Sequence, residues 1–213
     1  MAEYNLASML SKKGLNSLLF SDPYAKLCCT SMLAGQENVV YFDLDTTFSA
    51  YLKAGLVQAP GIDVYLPSEG RFVEMLKDVL ARMGEKRCSL VIFDSINSFY
   101  AMYYSYYRRS TEKGGSGGSS SSSGNINHLL SVLLMLLVRQ GVTLGVPVLA
   151  TSMLRFRKEG GWKQSPASRR LLQKKSATRL QVERVENEII VQVLEHEKVP
   201  AGTSLSFGIT VSR

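Results

Sequence analysis

Long apolar runs, paired cysteines and clustered histidines are all missing from this sequence. Its longest apolar stretch, Leu129–Val138, is interrupted by Ser131 and falls far short of the ~20 residues a membrane span requires. No membrane association is expected, therefore. Of three cysteines, Cys28 and Cys29 are adjacent and Cys88 is remote, so neither a disulfide scaffold nor a zinc ligand spacing is present. That usage suits a reducing compartment. The two histidines, His128 and His196, are isolated and form no metal or nucleophile pattern. The opening residues, MAEYNLASML, carry an early acid and resemble no signal or transit segment, and the expected location is cytoplasmic. Glycine is absent from Ser21 to Ala34, which removes any glycine-rich phosphate cradle from that stretch.

What is present is an excess of positive charge, +7 at neutral pH. It is concentrated. Between Leu154 and Ala177 stand Arg155, Arg157, Lys158, Lys163, Arg169, Arg170, Lys174 and Lys175, opposed by the single acid Glu159. Such a run is either a solvated basic loop or a polyanion site. Trp162 lies inside it, and a second aromatic and basic run, Phe99 to Arg109, ends in Arg108 and Arg109. Aromatic rings beside cations can stack on bases; equally, the tyrosines of 100–107 can pack as a helix on a sheet.

The chain alternates strand and helix. Leu18-Leu19-Phe20 reads as a short strand. Asp22 and Pro23 then form a helix start, N-cap and first helical position, for a helix over Tyr24–Leu33 stopped by Gly35. Leu6–Lys13 reads as a short helix closed by Gly14. Val39–Phe42 is a second strand, ending in Asp43 and Asp45; Phe48–Ala54 is helical; Ile62–Leu66 is a third strand. Phe72–Met83 carries a helical apolar stripe. Leu90-Val91-Ile92-Phe93 is an unbroken branched and aromatic run, as in a strand buried on both faces, and Asp94 closes it. An acid at the carboxyl end of such a strand stands where open α/β sheets bind ligands, or simply caps the following turn. A Gly/Ser tract over 114–124 reads as a flexible loop. Leu129–Gln140 is a buried helix and Val146–Ala150 another strand. After Arg179 the period becomes two: Leu180–Val182 and Ile189–Val193 form a hairpin around Glu186-Asn187, and Leu205–Val211 a last strand. These spacings predict one domain over 1–213, an α/β fold with a mostly parallel central sheet, helices on both faces and a C-terminal antiparallel meander.

Four segments carry a family resemblance. VYFDLDTTF (Val40–Phe48) resembles the strand ending in Asp-Thr-Glu-Gly-Thr-Phe of the RecA/RadA recombinases, SLVIFDS resembles their Walker B strand, GVPVLATSM (Gly145–Met153) their sensor strand, and KKSATRLQVERV (Lys174–Val185) the run opening their C-terminal meander. The chain is most similar to short archaeal RadA paralogues. The resemblance implies a RecA-like core, with Asp45 at the position of the catalytic glutamate, Asp94 at the terminal Walker B aspartate and Lys26 as a relic of the phosphate-loop lysine. It places the two DNA-facing loops over Phe99–Asn127 and Leu154–Ala177. Against it, no P-loop follows the first strand, and Leu27 or Cys28 stands where a magnesium-binding hydroxyl belongs. The expected activity is accordingly that of an accessory factor of homologous recombination and DNA repair, binding single-stranded DNA or recombinase subunits and able to self-associate, with no resident ATP, magnesium or other metal. Two rival expectations are an ATPase with an atypical phosphate cradle centred on Lys26 and Asp94, and a ring subunit of an Elongator-like assembly that binds tRNA.

Overall fold

A computed structural model of the chain describes residues 5–66, 71–85, 88–112, 121–158 and 161–208. Among these residues nine strands form one sheet, with six α-helices packed on its two faces. The strands are β1 (Leu15–Phe20), β2 (Val39–Asp43), β3 (Asp63–Tyr65), β4 (Leu90–Asp94), β5 (Val148–Lys158), β6 (Trp162–Pro166), β7 (Ser176–Val185), β8 (Glu188–Glu195) and β9 (Ser204–Gly208). The helices are α1 (Pro23–Ala34), α2 (Thr47–Lys53), α3 (Phe72–Glu85), α4 (Ile96–Glu112), α5 (Ser121–Leu144) and α6 (Arg169–Lys175). The sheet order is β3-β2-β4-β5-β1-β7-β8-β9, parallel from β3 through β7 and antiparallel beyond. The expected α/β layout and its terminal meander are therefore present, with β4 in the interior of the parallel part.

The pleat divides the core in two. Leu90 and Ile92 point with Val39, Tyr41, Leu149 and Leu18 toward α1 and α2; Val91 and Phe93 point with Val40, Phe42, Val148 and Ala150 toward α3, α4 and α5. Both faces of β1, β2 and β4 are buried along their whole length, the pattern expected where helices cover both sides of a parallel sheet.

Several elements depart from the sequence reading, each for a visible reason. The expected helix at Leu6–Lys13 is only a 3-10 turn, Ala7–Met9. The Asn16 side chain seizes this segment, accepting from the Ser11 amide at 2.7 Å and donating to the Ser11 carbonyl at 2.8 Å, and so draws the chain out of helix. The same side-chain amide donates to the Val148 carbonyl at 3.0 Å, which lets a polar residue sit inside β1 and starts that strand at Leu15. Of Phe99–Asn127, expected to hold a loop, the described residues are helical: Phe99 is fully buried against Phe93, Phe72 and Tyr103, and α4 runs on to Glu112. Of the Gly/Ser tract, residues 114–120 lie outside the described residues and 121–124 open α5. β5 does not stop at Ala150 but continues eight residues further, pairing antiparallel with β6. Ile209 and Val211, expected in the last strand, lie outside the described residues, as does Glu159.

Over Asn125–Leu144, α5 is long and apolar enough, by length and composition, to cross a bilayer. The apolar stretch Leu129–Val138 is only the middle of this span. Here its inner face, Leu130, Leu133, Leu134 and Leu137, is core, and Gly141 lets it approach β5 closely. A Cβ at Gly141 would stand 2.6 Å from the Val146 carbonyl oxygen and 2.8 Å from a Val148 methyl.

Candidate functional site: a buried ion pair and a basic wing

Parallel register sets Asp43 beside Asp94 at the ends of β2 and β4, and β5 brings Thr151 to the other side. Because Tyr41, Asp94 and Thr151 share the face that α1 covers, their polar atoms converge beneath that helix. Asp22 fixes where the helix begins: its carboxylate accepts from the Tyr24 amide at 2.8 Å, with Pro23 at the first position. Lys26 therefore sits one turn inside, and its side chain runs down into the sheet. Its Nζ donates to Asp94 Oδ2 at 2.6 Å; the Tyr41 hydroxyl donates to the same oxygen at 2.6 Å, and the Thr151 hydroxyl to Oδ1 at 2.5 Å. Both oxygens of Asp94 are occupied. Lys26 is 3% exposed and Asp94 not at all, so this is an interior ion pair with hydrogen bonds on each side.

Two more carboxylates stand near it. Asp43 accepts from the Ser49 amide at 2.7 Å through Oδ2, while its Oδ1 is buried and has no partner among the described residues. Asp45 accepts from the Thr47 amide at 3.0 Å and the Ser98 hydroxyl at 3.2 Å. The electrostatics follow. Burial alone would push the Lys26 ammonium down, but the carboxylates of Asp94, Asp45 and Asp43 outweigh it and raise it above the ordinary lysine value. Burial, then the adjacent Asp94 charge, raises the Tyr41 phenol well above its usual range. Burial also lifts the Asp43 carboxyl, with Asp45 and Asp94 adding repulsion. At Asp45 burial acts upward too, yet Lys26 and the donors at Thr47 and Ser98 win and hold it below the usual carboxylate range. Tyr41 was not singled out in the sequence. The signal there was a phenol within a fully apolar strand, which needs a buried partner for its hydroxyl.

The second feature projects from the same edge of the sheet. β5 and β6 form a two-stranded wing in which Arg157 opposes Lys163 and Arg155 opposes Ser165 on one face. On the other, Phe156 opposes Gln164 and Lys158 opposes Trp162, and both rings stand in solvent, Phe156 65% and Trp162 71% exposed. α6 follows at once and carries Arg169, Arg170, Lys174 and Lys175. A groove of about 890 Å³ opens between α6, the wing and the start of α5, lined by Arg157, Arg169, Arg170, Lys174 and Lys175 with Asn127. A neighbouring hollow of about 320 Å³ adds Arg155 and Tyr104. Tyr100 is engaged structurally: its hydroxyl bonds the side chains of Asn127 and Ser168, tying α4 to the first turns of α5 and α6. Arg108 and Arg109 fall near the end of α4, outside the residues whose side chains are described. The basic residues expected in one loop are thus spread over two strands and a short helix, and most of them border one groove.

No family model matches the chain, and no curated protein matches it by sequence. Solved structures do. The crystal structure of the RadB recombinase superposes with a TM-score of 0.62 at 16% sequence identity, over 94% of this chain and 89% of that one. The fold is RecA-like. Within this RecA-like core, Lys26 and Asp94, which one of the rival expectations set together, are in direct contact. Asp45 lies at the rim of that cluster, and the basic wing occupies a different part of the same sheet edge.

Proposed function

We propose that the chain is a RadA-like recombinase paralogue without a working phosphate loop, an accessory factor that binds single-stranded DNA through its basic wing and acts beside recombinase subunits. The observation that carries this reading is the groove whose charged lining among the described residues is cationic, Arg157, Arg169, Arg170, Lys174 and Lys175, on a RecA-like core. Cations so arranged supply phosphate contacts that are independent of sequence and sensitive to salt. The exposed rings of Trp162 and Phe156 add stacking surfaces for unpaired bases.

A nucleoside triphosphate with magnesium fits the residues at α1 poorly. The Tyr24 amide is taken by Asp22, whose charge would meet any phosphate, and the Lys26 ammonium is spent on Asp94. Asp94 in turn is wholly buried, and each of its oxygens already accepts from a side chain of the fold. No step of the proposed function is routed through a nucleotide.

The test is an anisotropy titration of labelled single- and double-stranded DNA at two salt concentrations, with and without magnesium-ATP, and with tRNA as competitor. The single strand should bind more tightly, ATP should change nothing, and tRNA should compete weakly. Replacing Arg169, Arg170, Lys174 and Lys175 by alanine should flatten the salt dependence by ~0.7 in log–log slope for each phosphate no longer neutralised. An unchanged slope would refute the assignment, and preferential displacement by tRNA would transfer it to a different class of assembly.

A further inference from the structure

We propose that the hollow of about 320 Å³ beside the cationic groove is a pocket for one unpaired guanine base. The inference rests on the strand-binding reading above and adds to it a preference among bases. The hollow adjoins the groove, sharing Asn127, Arg157 and Ser168 with it, so a strand lying along the groove passes its opening. Its volume is at the lower end of the ~300–1,000 Å³ of small-molecule sites, the scale of a single base and not of a stretch of duplex.

The lining follows from the sequence spacing. Asn97, Tyr100 and Tyr104 stand at i, i+3 and i+7 on α4 and share one of its faces. Arg155 and Arg157 are two apart on β5 and share a side of the wing. The Tyr100 hydroxyl bonds the side chains of Asn127 and Ser168, so these polar groups are already engaged with one another. Tyr104 is half exposed and offers an aromatic surface on which a base can stack.

Asn97 is the independent observation. Its Oδ1 accepts from the Met153 amide at 2.7 Å, which fixes how the side-chain amide is turned. Its Nδ2 is buried and has no hydrogen-bond partner among the described residues. Buried amide donors are seldom left so, and an acceptor brought into the hollow would satisfy this one. Arg155 and Arg157 add guanidinium donors and no acceptor. Neither forms an ion pair with another described residue, and no carboxylate among those residues lines the hollow. A site that offers donors selects a base by its acceptors. Guanine presents O6 and N7 side by side with no donor between them, and one arginine can pair with both. Adenine sets an amino group beside N7, cytosine also presents an amino group, and thymine offers a single oxygen beside its methyl. Guanine therefore fits this lining best.

Anisotropy on the full chain tests it, with a short labelled oligo-dA and the same strand carrying one central guanine, inosine or 7-deazaguanine. Guanine should tighten binding about 5- to 150-fold. Inosine keeps O6 and N7 and should match it; 7-deazaguanine lacks N7 and should bind at least about fivefold more weakly than guanine. Annealing the complementary strand should erase the preference. Asn97→Asp keeps an oxygen for the Met153 amide but removes the donor, and should cut the guanine-to-adenine affinity ratio about tenfold. Arg155→Lys keeps the charge and loses the fork at an exposed position; it should lower the same ratio, and it carries the test if Asn97→Asp does not fold. Equal affinity for the guanine and adenine strands overturns the pocket and leaves the groove reading standing. A guanine preference that survives both variants, or that 7-deazaguanine retains, overturns it as well. If no strand binds, the strand reading falls, and calorimetry with dGMP against dAMP decides the pocket: saturable dGMP binding that weakens in either variant upholds it, and none at millimolar concentration overturns it.

Discussion

Replacing Lys26 by methionine removes one charge and little else. Methionine is of similar length, equally at home in a helix and able to fill the same channel between α1 and the sheet. What it leaves behind is Asp94, wholly buried, with Tyr41 and Thr151 still donating but no cation beside it. Breaking a buried pair by removing one partner costs about 3–5 kcal/mol, and for a chain of this size ~1 kcal/mol shifts Tm by about 2–4 °C. Lys26→Met should therefore lower Tm by ~6–20 °C at pH 7, read by circular dichroism or calorimetry. Adding Asp94→Asn removes the orphaned charge, so the double variant should melt above Lys26→Met and fall less than the two single changes together. The pH dependence has a definite direction. The folded-state lysine titrates above its unfolded value, so its contribution is complete below pH ~10.4 and is lost as pH rises through the folded value. The gap between wild type and Lys26→Met should hold from pH 7 to about 10 and narrow above. A variant melting within ~2 °C of wild type would refute the reasoning. So would one that keeps its Tm but loses ATP binding, for the lysine would then be a ligand-binding group and not part of the core.

Three further outcomes are expected. Trp162→Ala should weaken single-stranded DNA binding about 5- to 150-fold, the equivalent of ~1–3 kcal/mol for one stacked base, and duplex binding far less, by anisotropy. Asp45 is held below the usual carboxylate range, so it adds stability above pH ~4 that is lost as pH falls through its folded value; Asp45→Asn should melt lower than wild type at pH 7, with the difference closing under acid in a pH-resolved melt. Gly141→Ala should destabilise by ~1–3 kcal/mol in urea titrations despite alanine's better helix propensity, because the new methyl meets the Val146 carbonyl and Val148.

Much of the architecture is legible in the residues. Uninterrupted apolar runs ending in acids marked β2 and β4, an Asp-Pro pair marked the start of α1, and the change to a period of two marked the meander. Failures occurred where tertiary partners decide. β1 begins at Leu15 because Ser11 and Val148 satisfy Asn16, and Val148 is 132 positions away. The outer half of β5 has no buried face, so nothing in its alternation of arginine with Leu154 and Phe156 distinguishes strand from loop until Trp162–Pro166 folds back on it. The ion pair itself joins residues 68 positions apart, and only the pleat and the register of β2, β4 and β5 bring Tyr41, Asp94 and Thr151 under Lys26. Cations were visible as a run; that they border a shared groove depends on the hairpin and α6 packing together.

One strand belongs to both features. β5 runs unbroken from Val148, between β1 and β4, past Thr151 and out to Lys158. From Thr151 to Arg157 the chain covers roughly 20 Å of extended backbone without a joint. Whatever the wing grips is therefore joined to the middle of the sheet by one continuous strand, with Thr151, the hydroxyl that donates to Asp94, at its root.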